Sequence, residues 1–139
     1  MNLHILDTDH LSLYQRGYPT LKPRFESVPP HEIAITIVTV EEQMRGRLAQ
    51  VRKAVSGVAR IQAYRWLRET IEFFQELTVL DFDVAANSID ESLQQQKLRL
   101  GTQDRRIASI VLARGGILIT RNQSDFGQVP GLKLQDWTK

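Results

Sequence analysis

The stretch HILDTDHLS, residues 4–12, decides how this chain is interpreted. Its apolar residues are typical of a short buried strand over 3–6, which passes without a break into Asp7 and Asp9. Asp7 or Thr8 is a good N-cap, so the following residues predict a helix that ends near Gly17. Two carboxylates at the point where a strand meets a helix either cap that helix or build a site. The rest of the sequence has to separate these two possibilities.

Length and composition predict a single domain that comprises residues 1–139. With 42% hydrophobic and 24% charged residues, the chain resembles ordinary globular proteins. The absence of cysteine from the sequence excludes disulfide frameworks, thiol nucleophiles and iron–sulfur clusters, and it is compatible with a reducing cytoplasm. The first residues lack a basic region, and apolar runs are short throughout, so we expect neither a signal peptide nor a membrane span.

Strands alternate with helices along the sequence. The predicted strands are residues 3–6, 33–38, 77–82 and 117–120, with a short edge strand at 132–134. This alternation predicts an α/β domain whose mostly parallel sheet of four to five strands is covered by helices on both faces. In such sheets, ligands bind beyond the carboxyl ends of the strands.

The helices between these strands are predicted from caps and apolar spacing. Thr39 and Glu42 have the spacing of a capping box that opens a long helix, and Gly57 separates it from a second one. The second helix carries an apolar stripe of Ile61, Tyr64, Leu67, Ile71 and Phe74. Further helices are predicted from residue 83 or 84 to 100 and from 102 to Gly115, whereas prolines between 19 and 30 allow at most a short helix. Residues 121–131 are predicted to form a loop.

Four acids are predicted to meet at one edge of the sheet. Asp7, Glu42 and Asp125 follow the ends of different strands, and Asp104 lies in the first turn of a helix, in register with its apolar stripe. Each acid alone has a simple structural explanation, as a cap, a first-turn residue or a turn former. Together they would repel one another unless a divalent cation held them. Oxygen ligands of this kind suit Mg²⁺ or Mn²⁺, which activate water for phosphoryl-type displacement.

Four motifs in order resemble a known family. They are LDTDHLS at 6–12, TVEEQMRG at 39–46, GTQDRRIAS at 101–109 and TRNQSDFGQVPGL at 120–132. They resemble the PIN domain, specifically the VapC-type toxins of type II toxin–antitoxin pairs. The resemblance implies a three-layer α/β/α fold and a metal-dependent ribonuclease that acts on RNA. It also implies an antitoxin partner that occludes the site, and usually a homodimer.

The resemblance carries the catalytic and metal-binding roles to the four acids, Asp7, Glu42, Asp104 and Asp125. Supporting hydrogen bonds would come from Thr8, Thr120 and Asn122. The chain departs from the family pattern at Asn122, where many members have the fourth acid, so that charge comes from Asp125 or is missing. Glu41 is a rival for the role of Glu42, which is preferred for its capping-box and glycine spacing.

Arginines close to these motifs are candidates for holding RNA phosphate, or they simply form solvated helix faces. These candidates are Arg45, Arg105, Arg106 and Arg121. The histidines have no ligand spacing, so we expect none to be catalytic. Three alternatives stay open: an inactive binding module whose acids only cap helices, a phosphatase with the D-x-D opening, and a response-regulator receiver. The last two require a lysine near a late strand end, where this chain has Arg121.

Overall fold

The structure is a computed structural model that describes residues 2–139, and within this range it contains five strands and seven α-helices. The strands are β1 (His4–Leu6), β2 (Ile33–Thr36), β3 (Thr78–Leu80), β4 (Ile117–Ile119) and β5 (Lys133–Gln135). The helices are α1 (Thr8–Gln15), α2 (Leu21–Ser27), α3 (Ile37–Lys53), α4 (Gly57–Gln75), α5 (Val84–Gln95), α6 (Thr102–Arg114) and α7 (Gln123–Phe126). A 3₁₀ turn at Pro30–Glu32 precedes β2.

The strands form one parallel sheet in the order β3-β2-β1-β4-β5. Its central strand, β1, is covered by helices on both faces. Because successive side chains of a strand point to opposite sides, its neighbouring residues enter different cores. Ile5 packs into a core formed largely with α5 and α6, whereas Leu6 packs into a second core that includes α1, α2 and Trp137. The predicted three-layer α/β/α architecture with a mostly parallel sheet is therefore confirmed.

The direction of winding reverses beside β1. From β1 the chain moves outward to β2 and β3, and it then returns to add β4 and β5 on the other side of β1. Such a switch point leaves a crevice at the carboxyl ends of the two strands that flank it. The order also differs from that of receiver domains, in which the third strand lies next to the first, so the topology argues against the receiver alternative.

The start of α3 differs from the sequence prediction. Strand β2 ends at Thr36, not at 38, and α3 begins at Ile37. Thr36 is the N-cap, since its side-chain oxygen accepts a hydrogen bond from the Thr39 backbone N–H at 3.2 Å. The capping box at Thr39 and Glu42 was therefore wrong, because a threonine three residues earlier ends the strand and caps the helix there.

The predicted stripe of α4 is largely exposed. Ile61 and Tyr64 have 62% and 57% of their surface exposed, whereas the helix is buried at Ala63 and Thr70. These small side chains allow close approach, and Thr70 accepts a hydrogen bond from Nε of Arg47 on α3 at 2.9 Å. The apolar residues of α4 do recur at helical spacing, but the side of the helix that carries Ile61, Tyr64 and Ile71 does not face the core.

Other element ends shift by shorter distances. Helix α5 ends at Gln95 rather than at 100, and Lys97 follows it with a positive φ of 54°. The predicted loop after β4 contains the single-turn helix α7. The short helix allowed among the prolines is present as α2. Within residues 2–139, no helix combines the length and apolar character that a membrane span requires.

Candidate active site

Asp7 stands at the end of β1 and has two roles at once. It is the N-cap of α1, and its Oδ1 accepts a hydrogen bond from the His10 backbone N–H at 2.8 Å. Its own N–H donates to the carbonyl of Ile119 on β4 at 3.1 Å, so Asp7 is fixed at the switch point. The cap uses one oxygen, which leaves Oδ2 for a ligand. The capping and metal-binding interpretations of Asp7 are therefore compatible.

Glu42 reaches the same crevice from α3. The Thr8 hydroxyl donates to Oε1 of Glu42 at 2.6 Å, and the Thr8 oxygen lies 3.0 Å from the hydroxyl of buried Thr39. Glu41 faces a neighbouring groove instead of the cavity, and Arg45 and Gln103 donate to its carboxylate. The preference for Glu42 over Glu41 agrees with this geometry, although its capping-box premise was wrong.

Asp104 enters from the first turn of α6 and is half-buried. Burial, together with the negative charges of Glu42, Asp7 and Asp125, raises the pKa of its carboxyl group from 3.8 to about 6. These partners are the acids that the sequence predicted to meet. The raised pKa reflects first the burial of Asp104 and then the three carboxylates around it.

The residues after β4 complete the edge. Asn122 caps α7, where its Oδ1 accepts from the Asp125 backbone N–H and its Nδ2 donates to Asp125 Oδ2 at 3.0 Å. The buried Thr120 hydroxyl accepts from the Asn122 N–H at 2.9 Å and so fixes this turn. The amide of Asn122 therefore lies where the family often has an acid, and Asp125 is held directly behind it.

These side chains surround a cavity of about 460 Å³. Its lining residues are Asp7, Thr8, Asp9, Glu42, Asp104, Arg121, Asn122 and Phe126. Three of the predicted acids line it, and Asp125, which accepts a hydrogen bond from Asn122, contributes to the raised pKa of Asp104. The cavity opens at the carboxyl ends of β1 and β4, where the topology of the sheet places a ligand site.

The predicted phosphate-binding arginines lie in different surroundings. Arg121 lies at the cavity, and its guanidinium forms two parallel hydrogen bonds with Asp9, at 2.8 and 3.0 Å. Arg45 is exposed and pairs with Glu41. Arg106 lies in a neighbouring groove.

Arg105 differs from the other three, since its Nε donates to the buried Asp90 at 2.7 Å. This contact ties α6 to α5. Arg105 thus has a structural contact, and its predicted contact with RNA stays a prediction.

The donor set of the cavity fits a divalent cation. The carboxylates of Asp7, Glu42 and Asp104 line the same cavity, and a cation there would offset the negative charges that, together with burial, raise the pKa of Asp104. Asp7, Asp9 and His10 also place potential ligand atoms within 4.8 Å of one another. In that group, however, Asp9 is paired with Arg121, and the His10 ring is fully buried.

Two features of the site are not predicted from the sequence. Thr39 was assigned to a cap, yet its hydroxyl supports Thr8 and through it Glu42. The correct starting residue of α3 would have revealed this, since Thr39 and Glu42 then share one face of the helix. The pairing of Asp9 with Arg121 joins residues far apart in the chain, and no local pattern indicates it.

Comparisons with known proteins agree with this geometry. No protein-family model matches the chain. It is 36% identical over 70 residues to the tRNA(fMet)-specific endonuclease VapC of Shigella flexneri. These residues make up 48% of the chain and 53% of that relative. The matched part thus spans about half the length of this relative. Ribonuclease VapC1 of Haemophilus influenzae is 26% identical over 99% of both chains.

Solved structures show the same fold. The chain matches a DNA-bound VapBC complex from Salmonella typhimurium with a TM-score of 0.78 and 24% identity, over 99% of both chains. It matches VapBC-1 of nontypeable Haemophilus influenzae with a TM-score of 0.76 and 22% identity, again over 99% of both. The resemblance of this chain to the VapC-type PIN domains, which four short motifs predicted, is confirmed.

Proposed function

We propose that the chain is a metal-dependent endoribonuclease and the toxin of a toxin–antitoxin pair. The observation that carries this proposal is the convergence of Asp7, Glu42 and Asp104 on one cavity at the switch point of the sheet, with Asp125 close behind. Relatives named VapC that are described as ribonucleases support it. No comparison favours the phosphatase or the inactive module.

Asp7 and Asp104 are the proposed direct ligands of Mg²⁺ or Mn²⁺, and Glu42 and Asp125 act at longer range. A bound cation supplies positive charge that offsets the charge developing on the phosphate and makes a water molecule more acidic. The chain's own residues set the geometry. Thr8 holds Oε1 of Glu42, which leaves Oε2 to orient the attacking water. Asn122 fixes the carboxylate of Asp125.

The proposed reaction is hydrolysis of an RNA phosphodiester bond. The water gives up one proton as its oxygen attacks phosphorus opposite the leaving ribose oxygen, the bond to that oxygen breaks, and the leaving oxygen takes up one proton. Arg121 at the cavity would hold a phosphate next to the scissile one, because its guanidinium is the cationic group among the lining residues of the cavity. Asp9 would keep that guanidinium in place until the RNA enters.

We infer the RNA target and the partners from the names of the relatives and structural neighbours. The Shigella flexneri relative is named as specific for tRNA(fMet), so we propose an unpaired loop of a tRNA as the first substrate to test. An antitoxin is proposed because the Salmonella typhimurium neighbour is a VapBC complex. The exposed Ile61, Tyr64 and Ile71 of α4 form an apolar face that suits a protein partner, and we infer a homodimer or an antitoxin contact there. We place this activity in the cytoplasm and in a single domain over 1–139.

A cleavage assay with paired variants tests the proposal. Purified protein is incubated with tRNA(fMet) and Mn²⁺ or Mg²⁺, with EDTA as the metal-free arm. We expect cleavage only with the cation, and a loss of at least about 100-fold in Asp7→Asn and Asp104→Asn, because each removes a ligand charge. Cleavage by both variants at the rate of the original chain would refute the assignment.

Neighbouring glutamates provide the matched control. Glu42→Gln removes a charge from the cavity, whereas Glu41→Gln removes the same charge one residue away, outside the lining of the cavity. We expect strong loss of cleavage in the first variant and nearly unchanged cleavage in the second. The opposite result would move the second acid of the site to Glu41.

A further inference from the structure

His10 lies directly behind the acid cluster, yet the proposed reaction does not use it. Its ring is fully buried, although histidine is a polar residue. Oδ1 of Asp7 lies 3.5 Å from Nδ1, and Oδ1 of Asp136 lies 3.5 Å from Nε2. The ring therefore stands between a candidate metal ligand and the last residues of the chain.

The hydrogen bond on Nε2 fixes the tautomer of the ring. The backbone N–H of Trp137 donates to Nε2 at 3.2 Å, so this nitrogen has to offer its lone pair. Oδ1 of Asp136 is already an acceptor for the backbone N–H and hydroxyl of Thr138. In the neutral ring, the proton then lies on Nδ1.

Nδ1 is a buried donor that lacks a hydrogen-bond partner among residues 2–139. Its nearest acidic oxygen, Oδ1 of Asp7, is 3.5 Å away, which is a few tenths of an ångström too far for a good hydrogen bond. Leaving a buried donor without a partner is costly, so a small shift that closes this gap would be favourable. The backbone N–H of the same residue already donates to that oxygen.

We propose that His10 is a positioning residue for Asp7, whose Oδ1 it holds through Nδ1–H while the segment Asp136–Thr138 holds the ring from behind. Two donors from one residue then fix Oδ1, and Oδ2 is left facing the cavity for the cation. Carboxylates that bind metals are commonly oriented by such outer hydrogen bonds, whose loss weakens metal binding by roughly 10- to 100-fold.

The carboxyl-terminal segment is firmly enough placed to serve this role. The Trp137 side chain is 1% exposed, its ring lies 5.5 Å from that of His4, and the Arg24 guanidinium lies over it at 5.7 Å. Its indole N–H donates to Gln135 at the end of β5. Contacts through Trp137 and His10 thereby link the edge strand β5 to Asp7, which follows the central strand β1.

Nitrogen-15 NMR of histidine-labelled, metal-free protein tests the contact without any activity. We expect the His10 ring to carry its proton on Nδ1, and we expect this signal to change in Asp7→Ala. The signal of exposed His31, which contacts neither Asp7 nor His10, serves as the internal reference and should stay unchanged. A proton on Nε2 of His10, or a His10 signal that is indifferent to Asp7→Ala, would overturn the proposal.

Mn²⁺ titration of two isosteric variants tests the consequence. His10→Asn keeps a donor at the position of Nδ1, whereas His10→Leu has the same branched shape without a donor. We expect the dissociation constant for Mn²⁺ to stay within about threefold of the original chain for asparagine and to rise about tenfold or more for leucine. Equal affinities in the two variants would overturn the positioning role, and if they fail to fold, the NMR result on the original chain decides.

This inference rests on the proposed metal role of Asp7, and the two failures are distinguishable. If the original chain itself binds no Mn²⁺, the proposed function fails, while the NMR contact still stands or falls by itself. If the original chain binds Mn²⁺ and the leucine variant binds it equally well, only the role of His10 fails.

Discussion

Asp104 shows, at the level of one residue, that the grouping of acids at the cavity lowers the stability of the metal-free fold. A carboxyl group whose pKa is about 6 in the folded state, against 3.8 as the ordinary value, binds its proton more tightly after folding than before. Burial is the main cause, followed by the charges of Glu42, Asp7 and Asp125. The arrangement is therefore unfavourable for the metal-free fold, as expected of a site that is proposed to bind a cation.

The pH dependence of stability follows from this shift. Between pH 3.8 and about 6 the folded state binds more protons at Asp104 than the unfolded state does, so its contribution to stability falls as the pH rises and stays low above 6. Asp104→Asn removes that loss. We expect the variant to melt at a higher temperature than the original metal-free chain at pH 7, and the difference to shrink towards pH 4.

Calorimetry in EDTA across this pH range provides the measurement. Asp81→Asn is the control, because Asp81 is exposed and lies outside the cavity, and its melting temperature should follow that of the original chain. A destabilised Asp104→Asn variant at pH 7 would contradict the placement of Asp104 among the other acids.

At the level of elements, the order of strands and helices was predictable, whereas their exact ends were not. Buried β-branched runs and glycine stops identified β1, β2, β4 and α6. The start of α3 was missed because Ile37 and Val38 favour a strand by propensity, while Thr36 begins the helix by capping it. The apolar stripe predicted on α4 is largely exposed, because periodicity identifies an apolar face of a helix but not what covers that face.

Two matched substitutions in α3 test where this helix begins. Thr36→Val and Thr39→Val are both nearly isosteric and both remove a buried hydroxyl. Loss of the cap at Thr36 should lower the free energy of unfolding by about 0.5–2 kcal/mol, as measured by urea denaturation. Thr39→Val should cost less, because Thr8 keeps Glu42 as its partner, but it should reduce RNA cleavage. The reverse order of destabilisation would restore the capping box at Thr39.

The topology of the whole molecule explains why the sequence alone could predict that these acids share one edge of the sheet. A parallel sheet brings all carboxyl ends of its strands to one edge, so acids that follow different strands converge whatever their spacing along the chain. What sequence could not supply were the contacts across that edge, such as Arg121 with Asp9 or Trp137 with His10, because each joins segments that only the closed fold brings together.

Cation binding should therefore be measurable in the stability of the whole fold. A ligand that binds only the folded state adds about 2.7 kcal/mol when its concentration is 100 times its dissociation constant. We expect millimolar Mn²⁺ to raise the melting temperature of the original chain by several degrees at pH 7, because the cation also removes the repulsion around Asp104. In Asp104→Asn the metal-free protein starts out more stable, and Mn²⁺ should add little. An equal rise in both proteins would show that Mn²⁺ binds elsewhere, and no rise in the original chain would favour a fold whose acids serve only as helix caps.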